Sequence, residues 1–505
     1  MSIGKSFEPQ SFEDKWYRFW EDQGCFDSKD VADPGQKNFC MVIPPPNVTG
    51  VLHIGHALTT TIEDILVRWR RMCGDNTLWL PGTDHAGIAT QAQVEKQIGK
   101  EGKGPTGKPL TRHDLGREKF LERTWKWKEE HHGGITSQLR RMGCSLDWKR
   151  ERFTMDAGFS RAVREVFVSL YEEGLIYRGE RIINWCTRCR TALSDLEVIP
   201  TDRKGHFWHL RYVVVDEKGK PTKEALVIAT TRPETLLGDT AVAVHPEDER
   251  YQHLHGKKVF LPLLGRLIPI ITDDYVDREF GSGGLKITPA HDFNDYELGR
   301  KHGLPFVNVM GKDGKITDDG GPYAGLKFSE AREKVIEDLK QANLLTHVED
   351  HAHKVGLCQR CGQAAEPMMS KQWFVKIEPL AKPAIEAVQS GRIEFSPKSW
   401  EKTYFEWMYN IRDWCISRQL WWGHQIPAWY CDQCETPTVS RDLPKKCAGC
   451  GADAKSLTQD EDVLDTWFSS GLWPFGTLGW PEKTAALKSF YPTAILETGF
   501  DIIFF

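Results

Sequence analysis

The sequence predicts an α/β protein that is built on a Rossmann-like, doubly wound parallel sheet. The first observation is that short apolar strands end in polar loops and lead directly into helices. The second is that residues 191–357 carry a series of short β-type runs, which indicates an inserted β-rich module. The third is that paired cysteines stand on either side of that stretch and indicate two small metal-binding modules.

Length and composition are those of a globular protein of about three domains, since the chain has 505 residues, 40% hydrophobic and 27% charged. No apolar run of the sequence has the length of a membrane span, and the first residues lack the apolar core of a signal peptide. We therefore expect a cytoplasmic protein with no membrane partner. We also expect a monomer. Because the net charge of the chain is −5, binding of a nucleic acid would need local basic patches. Residues 96–128 and 140–152 are candidates, although a solvated helix surface explains them too.

The stretch 41–56 combines the features of a nucleotide site. It predicts a strand over 39–43, a rigid turn of three prolines, and a helix that begins at about His53. Gly55 lets a ligand approach the backbone, His53 and His56 share one face of the first helical turn, and a helix start attracts phosphate. A plain strand-to-helix turn with two incidental histidines is the alternative.

Two predicted helices carry apolar residues at helical spacing, which is typical of a face that packs against a core. In the helix that runs to Met72 they are Leu58, Ile62, Ile65, Leu66 and Trp69. In a short N-terminal helix they are Phe12, Trp16, Phe19 and Trp20. Residues 97–109 are rich in Gly, Lys and Pro and predict a surface loop.

A second strand and loop follow at 76–87, and a helix is predicted from about Ile88. Asp84 stands at the end of this strand, where its carboxylate is well placed to hold a cationic amino group. A helix N-cap is the alternative role for this residue.

Eight of the thirteen cysteines form four Cys-x-x-Cys pairs, which in a reducing compartment indicate metal rather than disulfides. The pairs are Cys186/Cys189, Cys358/Cys361, Cys431/Cys434 and Cys447/Cys450. The last two have the spacing of a closed, four-thiolate zinc site. If the first two share a second structural zinc, the chain between them leaves and returns to one place, as around an inserted domain. Free thiols, redox pairs and cross-pairing between the sets are the alternatives.

The stretch between the first two pairs predicts a β-rich, barrel-like module. Its β-type runs are 207–215, 225–230, 240–244, 258–261 and 267–271. Two polar clusters lie within it, a Thr-rich stretch at 229–240 and a Gly-rich loop with carboxylates at 281–295. Turn chemistry explains either cluster taken alone.

Residues 400–430 are dense in aromatic side chains and arginines, which indicates an aromatic core with surface arginines. The alternative is that Arg418, Trp421 and Trp422 border a ligand site. Spacing alone does not decide between the two.

Several of these strings together resemble the class I aminoacyl-tRNA synthetases, in their valyl form. They are Pro-Pro-Pro-Asn-Val-Thr-Gly-Val-Leu-His-Ile-Gly-His-Ala at 44–57, Gly-Thr-Asp-His-Ala-Gly at 82–87 and Gln-Asp-Glu-Asp-Val-Leu-Asp-Thr-Trp-Phe-Ser-Ser at 459–470. The two polar clusters of the inserted module resemble the editing domain of the valyl, isoleucyl and leucyl members. The resemblance covers essentially the whole chain.

The resemblance implies activation of valine by ATP with Mg²⁺ to valyl-adenylate, and transfer of valine to the valine-specific tRNA. It implies that His53 and His56 bind ATP and are catalytic, because they stabilise charge on the α-phosphate as pyrophosphate leaves. It implies that Gly55 makes room for adenine. The implied valine pocket consists of Pro45, Asn47, Asp84, Trp467 and Ile502.

The resemblance also implies a second, hydrolytic site that removes threonine from mischarged tRNA. An apolar pocket cannot strongly reject a hydroxyl on a nearly isosteric side chain, so a site with polar walls is needed. In it Asp295 anchors the amino group and Arg232 faces the terminal adenosine of the tRNA. The residues that shape the pocket and its water are Thr235, Lys286, Thr288 and Asp292. Direct attack by water is expected.

The predicted domains are an N-terminal helix with the first half of the catalytic domain, the editing module, the zinc knuckles, and an incomplete second half of the catalytic domain. They span 1–190, 191–357, 358–458 and 459–505. The chain ends in an apolar run and lacks the family's Lys-Met-Ser-Lys-Ser loop, so we expect a partial coding sequence. A fragment that keeps only editing, as an aminoacyl-tRNA deacylase, or only tRNA binding is the alternative.

Overall fold

The computed structural model describes residues 8–105, 107–499 and 502–503 of the chain, which divides into two units. Unit 1 comprises Met1–Tyr177 and Trp373–Phe505. Unit 2 comprises Arg178–Gln372 and interrupts unit 1 in the sequence. The finer division into four segments stays a prediction.

Helices occur in both units. The α-helices are α1 (Glu13–Asp22), α2 (Ile54–Met72), α3 (Gly87–Glu101), α4 (Arg112–Leu115), α5 (Arg117–Arg141), α6 (Ala157–Glu172), α7 (Phe293–Lys301), α8 (Phe328–Gln341), α9 (Glu378–Gln389), α10 (Glu401–Tyr409), α11 (Thr466–Ser470), α12 (Trp473–Gly476) and α13 (Ala485–Phe490). Short 3-10 helices are Pro9–Ser11, Trp148–Arg150, Asp195–Glu197, Pro233–Gly238, Gln252–Leu254, Asp318–Tyr323, Lys398–Trp400 and Ala454–Ser456. Within the described ranges, no helix is long and apolar enough to cross a membrane.

The strands are short in unit 1 and longer in unit 2. They are β1 (Asn38–Val42), β2 (Asn76–Leu80), β3 (Gly82–Thr83), β4 (Arg152–Phe153), β5 (Ile176–Cys186), β6 (Thr191–Leu193), β7 (Val198–Val215), β8 (Pro221–Thr230), β9 (Ala241–Val244), β10 (Lys258–Phe260), β11 (Leu267–Thr272), β12 (Gly284–Ile287), β13 (Leu345–Cys358), β14 (Ala365–Val375), β15 (Trp414–Cys415), β16 (Ser417–Arg418), β17 (Ala428–Cys431), β18 (Thr438–Val439), β19 (Leu457–Gln459) and β20 (Val463–Leu464).

Unit 1 is built around parallel strands. β1 and β2 pair in parallel, with Asn38 opposite Asn76. Ile495 adds a parallel bridge at Met41, and β3 and β4 form a further parallel pair. Parallel neighbours need a crossover connection, which α2 supplies between β1 and β2.

β1 is buried on both faces, as in a doubly wound sheet. The hydrophobic cluster on one face draws on β1, β2 and α6 and includes Cys40, Val42, Leu78, Leu80 and Phe159. The cluster on the other face draws on β1, β2, α2 and α5 and includes Phe39, Met41, Val67, Trp79 and Ile135. Helices therefore cover the strands from both sides, and the predicted doubly wound α/β fold is confirmed.

Helix α2 has its predicted bounds, but the prediction of its apolar face is wrong. Four residues of that face are exposed, namely Leu58, Ile62, Ile65 and Trp69. The buried residues are Thr60, Glu63 and Val67, and Leu66 packs partly against the core. Helical spacing shows that apolar residues share one face of α2. The position of β1 and β2 decides which face of the helix is buried.

Two smaller expectations also differ from the structure. In α1 the buried residue is Tyr17, while Trp16 and Phe19 are exposed. Helix α3 continues to Glu101, so the predicted loop over 97–109 begins later than its composition suggests. In α1 the hydroxyl of Tyr17 donates to the Cys144 carbonyl at 2.6 Å, a partner that periodicity cannot reveal.

Unit 2 contains a seven-stranded mixed sheet. The strand order is β12-β9-β11-β10-β7-β13, and β8 also pairs with β7. Strand β12, at one end of this order, lies against β8, which shows that the sheet curls on itself. A Cβ at Gly284 of β12 would lie 2.9 Å from Ile228 Cδ1 of β8. Each of the five predicted β-type runs falls on one of β7 to β11, so the prediction of a β-rich module is confirmed.

We expect Gly82→Ala to destabilise unit 1. A Cβ at Gly82 would lie 2.4 Å from the Arg152 carbonyl oxygen and 2.4 Å from the Trp473 ring. Neither a strand backbone nor a buried indole moves easily, so the unfolding free energy should fall by about 1–3 kcal/mol. Denaturant unfolding followed by tryptophan fluorescence measures the change. Gly50→Ala is the matched control, since nothing lies within 4 Å of its Cβ, and an equal loss there would contradict the explanation.

Candidate functional site

The proline turn and the Asp84 loop of unit 1 are joined through their backbones. The Val48 N–H donates to the Asp84 carbonyl at 3.0 Å, and the Asp84 N–H donates to the Pro46 carbonyl at 2.9 Å. Asn47 and Asp84 thus form a parallel bridge. Both loops follow the carboxyl ends of strands, which is the edge where doubly wound sheets bind ligands.

The two histidines of the first motif cap the start of α2. His53 is the N-cap residue, and its Nδ1 accepts a hydrogen bond from the Gly55 N–H at 3.1 Å. In return, the Nδ1 of His56 accepts from the His53 N–H at 3.3 Å. The ring centroids lie 4.0 Å apart. The pair therefore satisfies two of the N–H groups that a helix start leaves open.

These hydrogen bonds select the imidazole tautomers. A ring nitrogen that accepts from an N–H carries no proton, so each neutral ring carries its proton on Nε2. Burial and the neighbouring His53 lower the pKa of His56, which keeps that ring neutral near pH 7. The Nε2–H groups are left as donors beside a helix N-terminus, an arrangement that suits a phosphate.

Gly55 is required by this cap. A Cβ at Gly55 would lie 3.0 Å from Cε1 and 3.1 Å from Nδ1 of the His53 ring. A side chain there would push the ring away from the N–H that it accepts from. The predicted reason for this glycine is room for adenine. The structure adds a second reason, which is the cap.

Asp84 is a buried carboxylate that keeps its charge. Its Oδ1 accepts from the Ala86 N–H at 2.9 Å, and its Oδ2 accepts from the Ser470 hydroxyl at 2.6 Å. Burial opposes ionisation, but hydrogen bonds from His85, Ala86 and Ser470 outweigh it and lower the pKa of Asp84. The N-cap of α3 is Ala86, so the alternative role of Asp84 as the helix cap is wrong.

Helix α11 brings part of the predicted valine pocket to this carboxylate. Ser470 donates to Asp84, and Trp467 stands one helical turn earlier on the same side of α11. Pro45 lies half-buried in the proline turn, next to Asn47. Ser470 and Asn47 therefore contact Asp84 directly, whereas the place of Pro45 and Trp467 in the pocket stays a prediction.

Ile502 is a further predicted residue of this pocket, and its role there stays a prediction. It is half-buried, and its N–H donates to the Gly499 carbonyl at 3.0 Å. The residues next to it in the chain, 500–501 and 504–505, lie outside the described residues.

Ser470 and Thr154 contact Asp84 but are not predicted from the sequence. The Thr154 hydroxyl donates to Asp84 at 3.3 Å and accepts from the His85 N–H at 2.9 Å. Ser470 closes the family string at 459–470, three positions after Trp467, and this helical spacing is the signal that could have found it. Thr154 lies in the string Arg-Phe-Thr-Met-Asp at 152–156, which is also seen in the family, but its link to Asp84 has no signal in the sequence because β4 meets β3 only in the fold.

Arg418 supports the site from inside the protein. Its guanidinium pairs with Asp465 at 2.6 Å, with both side chains 2% exposed, and donates to the carbonyls of Cys415 and Ser417 at 2.9 and 3.0 Å. Asp465 is the N-cap of α11. Arg418 thus positions the helix that carries Trp467, and the alternative that it borders a ligand site stays a prediction.

In unit 2 the two predicted polar clusters meet at β12. Lys286 Nζ donates to the hydroxyls of Thr235 and Thr288 at 2.8 and 2.5 Å, and it pairs with Asp239 at 3.2 Å. All four side chains are buried. The two hydroxyls and the carboxylate therefore all bind the same ammonium group, which orders the four side chains.

Asp295 lies beside this group in the first turn of α7. Its Oδ2 accepts from the Thr288 N–H at 2.9 Å. Burial, followed by the charge of Asp292, raises the pKa of Asp295 to about 7, although Lys286 and the Thr288 N–H act against them. The carboxyl is therefore poised to ionise when a cationic group enters.

Asp292 is the N-cap of α7. Its carboxylate accepts from the N–H groups of Asn294 and Asp295 at 2.8 and 3.1 Å. The residue is exposed, so its contact with the buried group runs through the backbone of the helix that it caps. It therefore orients Asp295.

Arg232 is engaged by carboxylates within unit 2. Its guanidinium pairs with Glu366 at 2.5 Å and lies 3.6 Å from Glu234, and it donates to the His291 carbonyl at 2.9 Å. About a quarter of the side chain stays exposed, at 26%. The positive charge of Arg232 is thus largely neutralised by carboxylates of unit 2 in the absence of any nucleic acid.

Asp239 and Tyr212 belong to the buried group but are not predicted from the sequence. Asp239 accepts from the Tyr212 hydroxyl at 2.6 Å and from the Thr288 hydroxyl at 2.5 Å. Burial raises the pKa of Asp239, against the charge of Lys286. Asp239 lies within the Thr-rich cluster at 229–240, whereas Tyr212 sits inside β7 and carries no signal of its own.

Each unit contains one cluster of four cysteines whose sulfur atoms all lie within 4.8 Å of one another. The cluster in unit 2 is Cys186, Cys189, Cys358 and Cys361, and the cluster in unit 1 is Cys431, Cys434, Cys447 and Cys450. Each set is complete by itself, so the alternative of cross-pairing between the two sets is wrong.

The sulfur geometry fits a metal. Sγ–Sγ distances are 3.4, 3.7 and 3.5 Å for the pairs Cys186/Cys361, Cys431/Cys450 and Cys434/Cys447. A disulfide needs about 2.05 Å, whereas thiolates at about 2.3 Å from a tetrahedral zinc lie about 3.8 Å apart. The Cys189 N–H also donates to Cys186 Sγ at 3.3 Å, which supports a thiolate. Both clusters can hold zinc.

Residues 15–505 match the model of the family described as tRNA synthetases class I (I, L, M and V). The chain therefore belongs to the class I tRNA synthetases, and the resemblance that the motifs indicated is confirmed. Among similar curated proteins, Valine--tRNA ligase of Syntrophotalea carbinolica is 60% identical over 503 residues, covering 100% of this chain and 54% of the relative. Valine--tRNA ligase of Geobacter sulfurreducens is 58% identical over 503 residues, covering 100% and 55%.

The chain spans about half the length of the curated relatives it matches. Among solved structures, one is titled as the ternary complex of Agrobacterium radiobacter K84 agnB2 LeuRS with tRNA and LeuAMS. It covers 99% of this chain and 64% of that chain, with a TM-score of 0.49 and 19% sequence identity.

We expect the purified chain to retain two zinc ions through gel filtration in the presence of a mild chelator, one in each cysteine cluster. Cys431→Ser should remove one of them, because a three-thiolate site opens a position to water and holds zinc less tightly. Atomic absorption measures the zinc content. Cys25→Ser is the matched control, since Cys25 is exposed and outside both clusters. Retention of both ions by Cys431→Ser would contradict the assignment.

We expect Asp295→Asn to stabilise unit 2 more at pH 8 than at pH 5. The unfolded chain releases this proton above about pH 4, while the folded protein keeps it until its pKa of about 7. The folded state thus binds the extra proton, so its stability falls as the pH rises from about 4 to 7. Asn cannot ionise and avoids this loss, which amounts to at most about 4 kcal/mol.

Denaturant unfolding at the two pH values, followed by hydrogen exchange of α7 peptides, measures the difference for Asp295→Asn. Asp274→Asn, at an exposed residue of the same unit, is the matched control. An equal effect of Asp295→Asn at both pH values would show that the buried carboxyl does not titrate in this range.

Proposed function

We propose that this chain is the part of a valine–tRNA ligase that activates valine and hydrolyses mischarged threonyl-tRNA. One observation carries the proposal: the proline turn that leads to the histidine-capped start of α2 is joined to the loop of the buried Asp84 at the ends of parallel strands. Relatives named Valine--tRNA ligase at 58–60% identity across the whole chain support it.

In this proposal ATP binds at the start of α2, and Mg²⁺ accompanies it. The Nε2–H groups of His53 and His56 donate to the α-phosphate, where negative charge grows as pyrophosphate leaves. The open N–H groups of the helix start act in the same direction. Gly55, which is exposed, leaves the backbone open to adenine.

The ammonium group of valine binds the carboxylate of Asp84, whose lowered pKa keeps it charged, with Asn47 beside it. Pro45, Trp467 and Ile502 form the apolar walls around the side chain. A carboxylate oxygen of valine then attacks the α-phosphorus, and the bond to pyrophosphate breaks. A hydroxyl of the tRNA next attacks the carbonyl carbon of the bound valyl-adenylate, which forms the ester and releases AMP.

Unit 2 carries the hydrolytic step. The apolar walls of the first site cannot strongly reject threonine, whose shape matches valine. The hydroxyls of Thr235 and Thr288, ordered by Lys286, offer a threonine hydroxyl the hydrogen bonds that a valine methyl cannot make. Asp295 ionises as it takes up the ammonium group, and water attacks the ester directly.

The remaining parts of the proposal concern partners. Arg232 faces the terminal adenosine of the tRNA, and the basic segments 96–128 and 140–152 lie along its backbone. The zinc ions are structural, because four thiolates leave no open position. The protein acts as a monomer in the cytoplasm, where thiols stay reduced.

A second candidate is a deacylase that performs editing alone. It is favoured by one observation: all six predicted editing residues lie in unit 2. Hydrolysis of threonyl-tRNA without valine-dependent pyrophosphate exchange would single it out. A tRNA-binding protein without catalysis would need neither the capped histidine pair nor the buried Asp295.

We expect His56→Ala in the complete gene product to lower valine-dependent pyrophosphate exchange by about 100-fold or more, as removal of one donor to a developing charge does. Hydrolysis of threonyl-tRNA should stay unchanged. Asp295→Ala should have the reverse effect, and Asp274→Ala should leave both activities intact. Loss of both activities together in either variant would contradict the assignment of two sites.

A further inference from the structure

Strands β7 and β13 of unit 2 form a long antiparallel ribbon, and one face of it carries an unusual group of side chains. The pairing runs from Leu345 opposite Leu210 to Cys358 opposite Val198. His347 stands directly opposite His209. Glu349 is two positions further along β13, so it projects from the same face as His347.

The three side chains converge on one point. His209 Nε2 lies 3.2 Å from one oxygen of Glu349, and His347 Nε2 lies 4.0 Å from the other. One nitrogen or oxygen atom from each of the three lies within 4.8 Å of the other two. A bulge between Leu345 and His347 makes this possible, since it sets His347 beside His209 on the strand pair.

These are the ligands that zinc and similar ions prefer. Two imidazoles and one carboxylate occur as the protein ligands of zinc sites that keep a position for water. Ligands at about 2.0–2.1 Å from a tetrahedral ion lie about 3.3 Å apart. The contact of 3.2 Å already meets this value, and Glu349 and His347 are exposed enough to close the contact of 4.0 Å by side-chain rotation.

A simple hydrogen bond between His209 and Glu349 is enough to explain the shorter contact, of 3.2 Å. It does not explain a second imidazole at the other oxygen of the same carboxylate. The opposite face of the ribbon offers the comparison, because His206 and Asp350 form an ordinary two-member pair at 3.0 Å there. No third ligand joins that pair among the described side chains.

We propose that His209, His347 and Glu349 bind one divalent transition-metal ion of the zinc class, with water completing its coordination. The site is distinct from the cysteine cluster at the other end of β13, since Cys358 is nine residues beyond Glu349, or about 30 Å along the strand. Bound metal ties β7 to β13 at the end of the ribbon that the cysteine cluster does not reach.

The neighbouring residues favour a defined site. Phe207 stands opposite Glu349 in the ribbon and is buried. Its ring stacks on His351 at 4.7 Å, and His351 stacks in turn on His353 at 6.1 Å. This packing holds the next two imidazoles of β13 away from the three ligands, so His209 and His347 are the pair that faces Glu349.

The test is a Zn²⁺ titration of the whole chain, with both cysteine clusters already filled, against a competing chromophoric chelator. We expect one further equivalent of Zn²⁺ to bind. His347→Ala and Glu349→Gln should each lower its affinity by more than about 100-fold, because even an outer partner of a ligand contributes about 10–100-fold. His206→Ala, three positions from His209 on the other face, should bind Zn²⁺ as the unchanged chain does.

Hydrogen exchange gives a second readout. Added Zn²⁺ should slow exchange of the β7 and β13 amides near His209 in the unchanged chain and in His206→Ala, but not in His347→Ala, because an ion that binds only the folded ribbon stabilises it. The proposal is overturned if no further equivalent binds, if both ligand variants retain it, or if His206→Ala loses it equally.

Discussion

The reciprocal hydrogen bonding at the start of α2 is the constraint on which the site in unit 1 depends. A helix start leaves backbone N–H groups open, and here two imidazoles, rather than hydroxyl or carboxylate side chains, accept two of them. Because each Nδ1 is occupied, each neutral ring offers its Nε2–H. The cap of the helix and the donors that we propose for a phosphate therefore belong to the same two side chains, so a substitution that removes one removes the other.

The two units place the same kind of residue in opposite electrostatic states. Asp84 and Asp295 are both buried, but Asp84 accepts several hydrogen bonds that lower its pKa, while Asp295 has one backbone donor and its pKa rises to about 7. The first carboxylate is charged before a ligand arrives. The second is only partly ionised near pH 7, so its charge depends on pH. Two carboxyl groups thus suit two different tasks, as their surroundings dictate.

Much of this could be predicted from the sequence, because the motifs are continuous in the chain. The strand, turn and helix around His53 and the grouping of the eight cysteines are examples. The remainder depends on contacts between distant segments. Ser470 and Thr154 reach Asp84 only after α11 and β4 are placed, and Tyr212 reaches Asp239 only once β7 is paired. The wrong prediction of the buried face of α2 has the same origin. Residue spacing reveals an apolar face, but the position of the sheet decides which face of the helix is buried.

The measurement that tests the central claim most directly is ¹⁵N NMR of the imidazole rings in protein labelled on histidine, with His53 and His56 assigned by single substitutions. Near pH 7 the geometry predicts that both rings are protonated on Nε2, with an unprotonated Nδ1 in a hydrogen bond. A spectrum in which either ring carries its proton on Nδ1 would contradict the account, because the cap would then be absent and the donors to a phosphate would point elsewhere.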